Sequence, residues 1–245
     1  MLLDILREGI TAESLIHTGL YVIIILISLS VHELFHGYVA YRCGDATARN
    51  LGRLTLNPLA HLDPIGTIMM LLFGFGYAKP VPINTRNFNH FKRDLCFVSL
   101  AGPLSNLCLA LIGAVLCVVT FYISPDIFFE NTTTGFGLWA LPDYFGSPLE
   151  SWVFFCTSFT WANVSLCIFN LLPIPPLDGS KIVSTLLPSR ISYYYLKYER
   201  YMMIVVMGLL YANVLDGVLV FLTGHLHYGV VWLVDFIIKP IINLF

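Results

Sequence analysis

Apolar residues run almost unbroken through four long stretches of the chain: Gly19–Tyr41, Leu95–Ile123, Trp152–Leu172 and Tyr201–Leu222. Each is long enough for a helix through a hydrocarbon layer about 30 Å thick, which takes roughly 20 residues. A fifth stretch, Gly229–Phe245, is near the lower limit, and Ile65–Tyr77 is too short for a straight crossing. A segment of that length suits a re-entrant hairpin. Because lipid offers no partner to backbone polar groups, such runs must be helical. The pattern predicts an all-α multi-pass membrane protein with five to six transmembrane helices and a short re-entrant hairpin. Residues 1–245 read as one membrane-embedded domain: an interfacial amphipathic segment over 1–18, a core over 19–200 and C-terminal spans over 201–245. No basic region precedes the first apolar run and no small-residue cleavage site follows it, so no cleaved signal is expected.

Polar residues between the stretches orient the chain. Arg42–Asp94 carries Arg42, Arg49, Arg53, Lys79, Arg86, Lys92 and Arg93, and Lys181–Arg200 carries Lys181, Arg190, Lys197 and Arg200. Ser124–Ser151 has no Lys or Arg. The positive-inside rule puts the first two segments in the cytoplasm and the third outside. Composition agrees with a membrane class: 57% of residues are hydrophobic and 11% charged, against about 25% charged in soluble domains. A net charge of −2 leaves no nucleic-acid footprint. The six cysteines form no CxxC pair and read as small hydrophobes, with neither a disulfide framework nor a cysteine metal site expected.

The first stretch holds one interruption, His32-Glu33-Leu34-Phe35-His36. Histidines at i and i+4 share a helix face and can share one zinc ion. Glu33 beside them can act as general base for a water that the metal activates. Such groups are expensive in lipid and mark a functional site by default. Catalytic zinc takes three protein ligands and keeps a position open. The third is sought in Asn170-Leu-Leu-Pro-Ile-Pro-Pro-Leu-Asp178-Gly179, where three prolines stop a helix at the same depth. Asp178 is the candidate; its alternative role is to cap a helix starting at Ser180.

These residues carry a resemblance. With His32-Glu33-x-x-His36 come Gly52-Arg53-Leu54-Thr55-Leu56-Asn57-Pro58-Leu59-Ala60-His61-Leu62-Asp63-Pro64-Ile65-Gly66, Tyr77-Ala78-Lys79-Pro80-Val81-Pro82-Ile83-Asn84, Ala101-Gly102-Pro103-x-x-Asn106 and the Asn170–Gly179 run. In this order they resemble the site-2 protease family of intramembrane zinc metalloproteases, in its compact branch without a PDZ domain. The resemblance implies His32, His36 and Asp178 as ligands of one Zn2+ and Glu33 as catalytic base. It implies an endopeptidase that cuts a transmembrane protein or peptide near the cytoplasmic face of the cell membrane. It also suggests that the Gly/Pro-punctuated 74–84 segment offers an edge to an unwound substrate. Intramembrane His, Glu and Asp also occur in transporters, and a silent client-binding scaffold would keep the same fold. Phe35 is bulkier than usual for the motif and is expected to crowd the helix slightly.

Other polar residues have two readings each. Asn106 is a donor to substrate or an oxyanion, or an interhelical bond. Asn170 positions substrate or caps the proline break. His61 and Asp63 form a second metal site or a hydrogen-bonded turn. His225 and His227 are expected in a solvated outer loop between the last spans, and Asp216 and Asp235 at helix ends or beside polar partners.

Overall fold

The computed structural model describes residues 11–73, 76–126 and 147–242, and these form an all-α membrane protein. Helix α1 (Ala12–Arg42) begins with a capping box: Thr11 Oγ1 accepts from Ser14 N and Ser14 Oγ accepts from Thr11 N, both at 3.1 Å. Residues 12–18 are therefore continuous with the first long helix, and residues 1–10 of the expected interfacial segment lie outside the described residues. Inside the apolar run, the Ser28 and Ser30 hydroxyls donate to carbonyls four residues back, which removes the cost of burying them.

A short helix α2 (Thr47–Asn50) leads to a hairpin whose first arm is α3 (Pro64–Phe73). Its return arm is extended and is joined to the residues just before α3 by an isolated Leu62–Ala78 antiparallel bridge and by Lys79 N donating to His61 O at 2.8 Å. Helix α4 (Phe91–Ile123) follows, then α5 (Pro148–Leu171), which opens on a Ser147–Glu150 capping box with Pro148 in its first turn. Most of the acidic 124–151 segment between them lies outside the described residues. Helices α6 (Asp178–Leu186), α7 (Ser189–Lys197), α8 (Glu199–Tyr211) and α9 (Asp216–Ile242) complete the chain.

Among the described residues, four helices rather than five or six are long and apolar enough to cross a membrane: Ser14–Arg42, Phe91–Ile123, Pro148–Leu171 and Asp216–Ile242. The difference lies in the last 45 residues. Asn213 adopts a left-handed conformation (φ 55°), donates its N–H to Leu210 O at 3.0 Å, and Val214 N donates to Leu209 O at 3.1 Å. This pair is a Schellman stop, for which Asn is the best residue after Gly. Hydropathy reads straight through it. The stop cuts the expected Tyr201–Leu222 span to a short apolar helix and adds the remainder to α9. His225 and His227 consequently lie mid-helix instead of in an outer loop. His225 Nδ1–H donates to Phe221 O at 2.7 Å, while His227 is buried with its ring 5.2 Å from that of Trp161. Asp216 opens α9, and Asp235 accepts from Tyr122 OH at 2.8 Å.

Helix α4 is central, packing against α1, α5, α6 and α9. Ala114 and Val118 meet Val230, Val231 and Val234 of α9, while Ile24 of α1 meets Phe159 and Ala162 of α5. All six cysteines are free thiols; Cys117 and Cys156 pack between α4 and α5 as small apolar groups.

Asp45 ties the loop after α1 to the hairpin. Fully buried, it accepts from Thr47 N (3.1 Å), Thr47 Oγ1, Asn84 N (2.7 Å) and Asn87 Nδ2 (2.8 Å). Burial pushes its pKa up, but these donors outweigh burial and hold it below the ordinary carboxylate range. Its stabilising effect is thus present above the unfolded value and lost as pH falls through the lower folded one. Asp45→Ala is expected to cost about 2 kcal/mol, since the part-buried hydrogen bonds to a charged acceptor are lost while their donors stay within reach of water. Thermal unfolding in detergent should show that gap constant near neutral pH and shrinking below about pH 4, the ordinary Asp value.

Candidate metal centre

The site is assembled where α1, α4 and the start of α6 meet. On α1, His32 and His36 are one turn apart and buried, their rings edge to face with centroids 4.6 Å apart. Their facing strip on α4 is Val98, Gly102 and Asn106, spaced by four residues on one face. His36 Nδ1–H donates to the Val98 carbonyl at 2.7 Å, and His32 Nδ1–H to Asn106 Oδ1 at 2.6 Å. The amide orientation of Asn106 follows from its other side: Nδ2 donates to Asn163 Oδ1 (2.9 Å) and Ser28 O (3.4 Å), and Asn163 Nδ2 donates to Phe159 O (2.9 Å). Gly102 leaves the room between. A Cβ there would lie 2.6 Å from His32 Nε2 and closer still to His36 Nε2.

With both Nδ1 atoms protonated and spoken for, each Nε2 presents a lone pair. Those lone pairs point together: the Nε2 atoms are 2.9 Å apart, and Asp178 Oδ2 is 3.0 Å from His36 Nε2 and 3.3 Å from His32 Nε2. Three electron-rich atoms so close, all buried, repel unless a cation lies among them. Ligands at about 2.0–2.1 Å in a tetrahedron around zinc are roughly 3.3 Å apart, near these separations. The donor set of two imidazoles and a carboxylate suits zinc, and the Nδ1 bonds supply the outer support that such ligands need. The residues fit the metal.

Asp178 is the first residue of α6, not the cap of a helix starting at Ser180; the cap position is Leu177 and makes no side-chain bond. While Oδ2 faces the imidazoles, Oδ1 accepts from Lys181 Nζ at 3.3 Å. Glu33 is half-buried on α1 beside the ligands, and its Oε2 accepts from the main-chain N–H of Val81 at 2.8 Å. Phe35 points outward and crowds nothing in the site.

Of the two readings of Asn106, the interhelical bond is the one seen. Both of its N–H groups are used inside the protein and its oxygen orients His32, so it is a support for a ligand. Asn170 donates to Leu166 O, one turn back in its own helix at 3.0 Å, so its amide N–H group is turned into α5 and does not cap the break. His61 and Asp63 form the turn: His61 Nε2–H donates to Thr55 O (2.8 Å), and Asp63 Oδ1 accepts from Ile65 N and Gly66 N at 3.0 and 2.9 Å. Sequence reasoning missed Val98, which acts through its carbonyl and leaves no side-chain signal. It also missed Asn163, a polar residue in an apolar run whose signal was present.

A cavity of about 440 Å³ is walled by apolar groups of α1, α5, α8, α9 and the hairpin; Leu177, the residue before Asp178, is in its lining, and the three ligands and Glu33 are not.

Two substitutions test the centre. Asn106→Leu should lower zinc affinity about 10- to 100-fold, the usual effect of losing a ligand's support, measured by chelator competition. Gly102→Val should abolish zinc uptake while the purified protein keeps its helical circular dichroism.

The model of peptidase family M50 matches residues 20–215. YwhC of Bacillus subtilis, provisionally named a zinc metalloprotease, is 42% identical over 167 residues, covering 68% of each chain. Rip2 of Mycolicibacterium smegmatis, with the same provisional description, is 30% identical over 179 residues, or 69% of this chain and 59% of Rip2. Rip2 of Mycobacterium tuberculosis is 29% identical over 181 residues, 70% of this chain and 60% of the relative. The alignments thus span about three fifths of the mycobacterial proteins. No solved structure matches the chain. Four membrane-length helices, a buried two-histidine and aspartate group, and a match over most of the sequence agree: the chain belongs to peptidase family M50, the site-2 protease family that its motifs resemble.

Proposed function

We propose that this integral membrane metalloprotease is an intramembrane endopeptidase that hydrolyses peptide bonds in or near transmembrane segments of other proteins. The observation that carries the reading is the convergence of His32, His36 and Asp178 lone pairs at a buried point of a helical membrane protein. Zinc held there supplies a Lewis acid that polarises a carbonyl and makes water nucleophilic near neutral pH. Glu33 takes the proton of the attacking water and returns it to the leaving amine, as base and then acid. The Nδ1 bonds to Val98 and Asn106 fix the tautomer of both imidazoles and keep each Nε2 aimed at the same point throughout. A single converging cluster suits one fixed metal better than the row of sites that transport requires.

An apolar substrate segment is supported by a cavity whose wall is mostly hydrocarbon and includes Leu177, the residue before Asp178. A helical substrate hides its amides in its own hydrogen bonds, so it must unwind before attack. Unwound backbone survives at membrane depth where protein or a water-filled cavity covers it. The basic residues of Arg42–Asp94 and Lys181–Arg200 support a cut towards the cytoplasmic side of the cell membrane.

Purified protein is expected to hold about one zinc per chain, the complement of a single three-ligand site. Glu33→Gln should keep that zinc and lose cleavage of a transmembrane test peptide, with at least about a 100-fold fall expected for a lost general base. His36→Ala should lose zinc and cleavage together. Full cleavage by Glu33→Gln would falsify the assigned base. Orientation is read separately: a cysteine placed at the exposed Leu186 (Leu186→Cys) should react with an impermeant maleimide only after the cytoplasmic face is opened.

A further inference from the structure

Pro80 and Pro82 have no N–H, so Val81 carries the one amide hydrogen of residues 80–82. That hydrogen goes to Glu33 Oε2 at 2.8 Å. The arm that holds it is braced from several sides. Arg53 Nη2 donates to Lys79 O at 3.0 Å and Pro80 O at 3.4 Å, and Lys79 N donates to His61 O at 2.8 Å. The Val81 side chain is 5% exposed and packs against Gly37, one turn beyond Glu33, where an added Cβ would lie 3.0 Å from Val81 Cγ1. Gly37 thus lets the arm come close enough to α1 for the peptide group to reach the carboxylate.

We propose that the main-chain N–H of Val81, isolated by its two prolines and braced by Arg53, is the positioning donor of Glu33. A glutamate side chain has three rotatable bonds and, if left free, spreads its carboxylate over many orientations. One fixed donor on Oε2 removes that freedom and leaves Oε1 as the oxygen that meets the proton. The donor belongs to the backbone of a braced arm, so its direction does not depend on a rotamer. A misplacement of about 1 Å in a reacting group can cost 100-fold in rate, so this bond bears on the chemical step and not on the hold of substrate. Val81 and Arg53 are positioning residues in this account. The kinetic consequence rests on the proposed protease activity; the bond does not.

The test compares Val81→Pro, which removes the N–H together with the Val side chain, with Val81→Ala, which loses the same packing and keeps the N–H. In the zinc-loaded full chain, kcat for Val81→Pro should be about 10- to 100-fold below that of Val81→Ala, with KM and zinc content equal in the two. Arg53→Ala should lower kcat in the same direction and Arg53→Lys should recover part of it. Exchange of the Val81 amide, followed in the zinc-loaded protein without substrate, reads the bond directly. It should be slow in wild type and in Glu33→Gln, which keeps an acceptor, and at least tenfold faster in Glu33→Ala. Should Val81→Pro not fold, Arg53→Ala and the exchange rates decide. Equal kcat for the Val81 pair, or a Val81 amide that exchanges equally fast with and without the Glu33 side chain, overturns the proposal. A wild-type chain that cuts no transmembrane peptide overturns the protease reading, and the exchange rates still decide the bond.

Discussion

Two imidazoles and a carboxylate turned towards one another inside an apolar protein are the constraint around which the rest is arranged. Their Nε2 and Oδ2 atoms lie 2.9 to 3.3 Å apart, and among the described residues the cation in contact with the group is Lys181, on the opposite carboxylate oxygen. Holding them there requires that neither ring rotate. The Val98 carbonyl and the Asn106 oxygen prevent this by taking both Nδ1 protons. Much of the fold follows: α4 must pass close enough for its backbone to accept from a side chain of α1, and Gly102 makes that passage sterically open.

Helix α4 therefore does more than cross the bilayer. It contributes no ligand, yet it aims two of three and packs against most of the long helices. The polar relay from His32 through Asn106 to Asn163 links α1, α4 and α5 in one buried chain of hydrogen bonds. In an apolar environment such bonds between helices are adhesive as well as orienting. The third ligand arrives differently, at the first turn of α6 after a proline-rich break, so this carboxylate meets the centre from the start of a short helix.

Much of this was legible in the residues. The HExxH spacing placed His32, Glu33 and His36 on one helix, and the proline-rich run singled out Asp178 from far along the chain. The all-α membrane class followed from apolar run lengths alone. Run length could not locate the Asn213 stop, because a left-handed cap is a matter of dihedral angle and leaves hydropathy unchanged. It also could not tell whether Asn106 faces a substrate or a ligand, since both readings bury the same amide. Val98 was out of reach for a different reason: its contribution is a carbonyl that every residue type possesses.

That carbonyl makes the two histidines unequal under genetic drift. His36 leans on a peptide oxygen, which survives whatever residue later occupies position 98 provided the helix keeps its path. His32 leans on an amide that a single codon change can delete. The pocket is thus inherited with one robust hinge and one fragile hinge, and variation that erodes it gradually has an easier route through the asparagine than through the main chain.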